Sequence, residues 1–123
     1  VALLQSDTAT ARRCIVESLE IGRALRDRRS AWSLDVLACL TTREGNLERA
    51  LQLAGAGSAM HEASGNTPPA PWEAFVSPHV QVARNGLDPE VARIRWEAGR
   101  RLAFDEALEF ALATASTPLE VGR

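Results

Sequence analysis

His61 and Glu62 stand side by side in Met60-His61-Glu62-Ala63-Ser64-Gly65, the opening of a spacing used by zinc peptidases. That chemistry needs a second histidine four residues after the first, on the same helix face, and position 65 is Gly. The other histidine, His79, lies beyond a proline-rich break, so a two-histidine site would need a third ligand that the sequence does not single out. No metal site is expected, and both histidines are read as surface or half-buried residues. Gly55-Ala56-Gly57-Ser58 has glycine spacing but no Lys and no preceding strand, so it does not make a phosphate loop. No serine has a histidine and an acid close in sequence to activate it. Cys14 and Cys39 sit in apolar helical contexts without a CxxC spacing and read as two buried, reduced thiols. The sum of these patterns is a chain expected to be no enzyme, with no catalytic residue and no cofactor.

The elements that would position these residues are helical. Ala and Leu dominate the apolar set, aromatics are 5% and Tyr is absent, which favours helix over strand across the 123 residues. Net charge is -2 and every basic residue is an Arg, so the total gives no drive toward nucleic acid or an anionic membrane. No apolar run approaches the roughly 18–20 residues that span a bilayer. The N-terminus has neither an initiator Met nor a basic segment and reads as a piece of a longer chain. No membrane partner and a cytoplasmic location are the expectations.

Ala11, Ile15, Leu19 and Gly22 recur at helical spacing between Thr8 and Arg26. Asp27-Arg28-Arg29-Ser30 is a polar break in which Ser30 is placed to cap the next helix. Ala31, Leu34, Leu37, Ala38 and Thr41 mark one face of that second helix. Leu47, Ala50, Leu51 and Ala54 open a third, running to about Ala63. Gly55 and Gly57 inside it cost about 1 kcal/mol each relative to Ala, a cost that a close helix neighbour would offset. Residues 65–71, with Pro68, Pro69 and Pro71, form a semi-rigid connector. Trp72 to Arg84 is a helix with Phe75, Val76, His79, Val80 and Ala83 inward and a kink expected at Pro78. Asp88-Pro89-Glu90 is a strong start signal for a fifth helix, whose stripe is Leu87, Val91, Ile94, Ala98 and Leu102 with Trp96 beside it. Phe104 to Ala115 carries Ala107, Leu108, Ala111 and Leu112, with Asp105 and Glu106 at its positive end. Residues 116–123 are expected to be a loose tail.

"LTTREGNLERA", residues 40–50, admits two readings. Its first half looks like the start of a LuxR-type helix-turn-helix, which needs a helix running through Gly45-Asn46 and a basic recognition helix after it. No Arg or Lys occurs from Leu51 to Val82, so that DNA-binding alternative is disfavoured. Its second half looks like the turn of a tetratricopeptide-type hairpin, with Ala50 at the small position where two helices cross. Ala11 to Leu19 has the same small-then-apolar pattern, and Ala11 lies 39 positions before Ala50, somewhat more than the roughly 34-residue standard unit.

Over nearly its whole length the chain resembles the C-terminal tetratricopeptide-like helical region of actinobacterial-type predicted ATPase or LuxR-family transcriptional regulators. The resemblance is carried by Ala11-Arg12, Glu17-Ser18-Leu19, Arg23, Asp27-Arg28-Arg29, Ala31-Trp32 and Leu34. It continues through Gly45, Ala50, Leu53, Gly55 and Ala56, then Trp96, Gly99, Leu102, Glu106, Ala107, Ala111 and Leu112. Ala103, Thr41 and Pro78 depart from the family pattern. The expected fold is all-α: tetratricopeptide-like hairpin repeats in a right-handed superhelix over residues 1–64, and a three-helix C-terminal extension over 72–115. The implied function is a non-catalytic interaction module of a signal-responsive transcriptional regulator, with the ATPase core elsewhere in its chain. Its partner would be a protein or other domains of that chain, met through Trp32, Asp35 and Arg43 without direct contact to nucleic acid. The alternative is an effector-sensing domain that holds a small molecule near Trp72 and Trp96.

Overall fold

Gly45 decides how the first half of the chain folds. In the computed structural model, which describes residues 2–65 and 68–116 (backbone only for 2–8 and 116), it adopts φ +91°. The amides of Gly45 and Asn46 return to the carbonyls of Thr42 and Thr41. This is a Schellman ending, and its left-handed residue carries no Cβ penalty when it is Gly. The preceding helix therefore stops at Arg43, and the continuous helix that a DNA-reading motif would need here is not formed.

Among the described residues six helices follow in order: α1 (Ala2–Leu25), α2 (Ser30–Arg43), α3 (Leu47–Ser64), α4 (Ala70–Asn85), α5 (Pro89–Arg100) and α6 (Phe104–Ser116). The chain is all-α, with no strand among the described residues. α1 also ends in a Schellman motif, with Arg26 at φ 52° and the Asp27 amide bonded to the Gly22 carbonyl. Ser30 does not cap α2 as expected. It is the first helical residue, buried against Gly22, and the Asp27 carboxylate takes the Arg29 amide instead. Asp88 does cap α5, accepting from the Glu90 amide, with Pro89 in the first turn. α6 starts without a hydroxyl cap at Ala103. Glu106 reaches back to the Ala103 amide at 2.9 Å, half of a capping box.

The core joins Ile15 and Leu19 of α1, Leu34 and Leu37 of α2, Leu53 and Met60 of α3, and Ala107, Leu108, Ala111 and Ala115 of α6. α6 thus returns to the first hairpin rather than standing apart from it. Its C-terminal end has no basic residue of its own, and Arg12 of α1 supplies one. Arg12 donates to the carbonyls of Thr114 and Ala115 at 3.2 and 3.1 Å and pairs with Glu44. Positive charge is favourable at that negative helix end. Arg23 and Arg26 reach Glu109 and Asp105 on α6. Both guanidinium groups are therefore turned toward α6 carboxylates. Thr41 is buried with its hydroxyl on the Leu37 carbonyl at 2.7 Å.

α4 lies against α2 and α3, and α5 runs along α3. The α5 face differs from the expected stripe. Ala92 and Gly99 are buried and Ile94 is 51% exposed. The reason is the glycine face of α3. A methyl on Gly55 would strike the Trp96 carbonyl, and one on Gly99 would strike the Gln52 carbonyl. Two backbones that close leave room only for small residues, so size of contact loses to closeness of approach. On α4 the inward residues are Val76 and Ala83, while Phe75 is half exposed, another departure from expectation. The helix runs on past Pro78, which is exposed.

The crossing makes a prediction of opposite sign to helix propensity. Gly99→Ala should gain about 1 kcal/mol in an isolated helix. Here it is expected to lower the stability of the chain by about 1–3 kcal/mol through overpacking, measured as the shift in urea unfolding. A gain in stability would show that α3 and α5 are not in backbone contact.

Candidate ligand-binding groove

Asp35 stands on the inner face of α2, between Leu34 and the α3–α4 junction, and is only 6% exposed. A lone buried carboxylate is costly, so it must be held by donors. Two arrive at the same oxygen. The Trp72 indole of α4 donates to Asp35 Oδ2 at 2.8 Å, and His61 Nε2 of α3 lies at 2.8 Å from it. Room for the other oxygen comes from Gly57, where a Cβ would sit 2.5 Å from Asp35 Oδ1. Burial raises the Asp35 carboxyl above the ordinary range, against the two hydrogen bonds that favour its charged form.

The rings close around this carboxylate. Trp32 meets His61 edge-on at 5.1 Å and Trp72 at 4.8 Å, and the series continues through Phe75 to His79. His61 is 7% exposed, which corrects its reading as a surface or half-buried residue; the Asp35 acceptor is what permits burial. Of the three residues expected as an exposed contact surface, Asp35 is buried, Trp32 is half-buried inside the ring cluster, and Arg43 is exposed at the far end of α2. They do not form one face. Cys14 is exposed, contrary to expectation, while Cys39 is buried and its thiol is pushed up to about 11 by burial, with the Asp35 charge adding.

A half-open groove of about 570 Å³ lies over the network. Asp35, His61 and Trp72 line it, together with Trp96 of α5. Ala54, Val76 and Val80 give it apolar surface, and Glu62, Glu73, Ser58 and Ser77 give it polar surface. Arg100 ties the α3 and α5 sides together, donating to Ser58 at 3.1 Å and Glu62 at 2.6 Å. Its volume falls within the roughly 300–1,000 Å³ of small-molecule sites. Trp72 and Trp96, named from sequence as a pocket pair, both line it. Sequence reasoning missed His61 and the buried role of Asp35. The available signal was an acidic residue next to Leu34 on the apolar face of α2.

Among the described residues no group of three His, Cys, Asp or Glu side chains could hold a metal ion, and no helix is long and apolar enough to cross a membrane. No protein-family model, curated protein or solved structure matches the chain.

Two expected outcomes follow from the network. Asp35→Ala leaves the Trp72 indole and His61 without their buried acceptor, and should cost about 1–3 kcal/mol in chemical unfolding. In a thiol-reagent assay on the native chain at pH 8, Cys14 should react promptly and Cys39 only as the chain unfolds. Two equally fast thiols would contradict the burial of Cys39.

Proposed function

We propose that this chain is a non-catalytic helical binding module of a signal-responsive regulator, and that the groove beside Asp35 receives its small-molecule effector. The observation that carries the reading is that Trp72 of α4 and Trp96 of α5 line one half-open cavity. Beside it, a buried carboxylate holds the ring of Trp72, and Arg100 of α5 reaches Ser58 and Glu62 of α3. In this reading the α2–α3 hairpin is a tetratricopeptide-like scaffold, α4 and α5 complete the pocket, and an ATPase core elsewhere in the regulator reads the outcome. Regulation would come from ligand contacts that span α3, α4 and α5 and shift their relative stability.

A second reading is docking of a protein partner, and a specific feature favours it. Ile21 and Leu25, one helical turn apart on α1, are 60% and 70% exposed. An apolar pair at that spacing is the kind of surface that a neighbouring repeat helix covers.

Titration of the intrinsic tryptophan fluorescence with fractionated cell metabolites tests the first reading. A saturable change is expected with at least one fraction, and Ser77→Phe, which fills the groove from its exposed rim, should abolish it. A saturable change that survives Ser77→Phe would place the ligand elsewhere. No change with any fraction would favour docking.

A further inference from the structure

Resting on the groove reading, we propose that the ligand is a small organic cation, a protonated amine or quaternary ammonium carried on an apolar body. Three carboxylates line the cavity, Asp35, Glu62 and Glu73, and no Arg or Lys does. Glu62 is paired with Arg100, and Asp35 is held by the Trp72 indole and His61. Glu73, exposed in the first turn of α4, has no cation against it among the described residues. The groove therefore carries negative charge that its own side chains do not balance, and it repels an anionic ligand.

The walls suit the same chemistry. A cation is attracted to the face of a tryptophan ring within about 6 Å of its centroid. Trp96 already holds one in this way, the Arg84 guanidinium at 5.0 Å, while its indole also borders the groove. Trp72 cannot rotate freely, because its indole nitrogen is bound to Asp35. Ala54, Val76 and Val80 offer apolar surface to the body of the molecule, and the volume suits one small ligand rather than a length of chain.

The test uses the indole N–H signals of the three tryptophans in nitrogen-15 correlation spectra of the full chain. Four probes are titrated: phenethylammonium, neutral 2-phenylethanol, phenylacetate and a capped lysine-containing hexapeptide. Phenethylammonium should shift the Trp72 and Trp96 signals saturably. 2-Phenylethanol should bind roughly fivefold more weakly, the scale of one exposed cation–π contact and one exposed ion pair, and phenylacetate more weakly still. Glu73→Gln should weaken the amine about threefold, and Glu90→Gln, outside the groove, should leave it unchanged. Equal binding of the alcohol or the acid overturns the cation assignment while leaving the groove a binding site. Tighter binding of the hexapeptide overturns the small-molecule source. No response to the amine overturns the inference, and the groove reading then stands or falls on its metabolite titration.

Discussion

A single buried carboxylate organises the middle of this molecule. Asp35 belongs to α2, yet its partners are His61 of α3 and Trp72 of α4, so three helices meet at one oxygen. Hydrogen bonds to a buried charge are directional as well as strong, and they fix the angle at which α4 arrives after the proline connector. Gly57 is part of the same device, because any side chain there would occupy the space of Asp35 Oδ1. The ring cluster of Trp32, His61 and Trp72 then packs around the carboxylate. A groove with a rigid end results, since the Trp72 indole that lines it is bound at its nitrogen.

The other wall depends on a different constraint, backbone closeness. Gly55 and Gly99 let α3 and α5 approach until carbonyl groups of each face the other's α-carbons. That approach brings Trp96 into the lining of the groove and lets Arg100 reach Ser58 and Glu62. Small residues in α3 therefore serve both walls: Gly57 admits the carboxylate and Gly55 admits α5. Helix propensity alone would count both glycines as losses of about 1 kcal/mol each. Packing against α2 and α5 is what turns the pattern into a specification.

Much of this was legible in the chain because it is written in local chemistry. Gly45-Asn46 as a helix stop, Asp88-Pro89-Glu90 as a helix start, and the Leu34, Leu37, Ala38 and Ala50 faces all express rules that act within a few residues. The all-α class followed from the same signals. What was not legible depends on neighbours distant in sequence. The α5 stripe was legible only in part: Leu87, Val91, Ala98 and Leu102 are half-buried and Ile94 is exposed, whereas contact with a glycine face buries Ala92 and Gly99. Asp35 was read as exposed and His61 as surface or half-buried because their partners, each other and Trp72, lie far off in sequence. Trp72 and Trp96 were correctly grouped as pocket candidates, but the carboxylate that orients one of them was assigned to an exposed face. Cys14 carries no pattern to distinguish it from Cys39, and its exposure follows only from how α1 is turned.

The claim on which the rest depends is that the Trp72 indole is locked to a buried, anchored Asp35. Hydrogen exchange of the three indole N–H groups under native conditions measures this most directly. If Asp35 organises the α2–α3–α4 junction, the Trp72 N–H exchanges only through large-scale opening, with protection approaching that of the core amides of α2 and α3. Exchange of Trp72 at the rate of a free indole, while those core amides stay protected, would contradict the account.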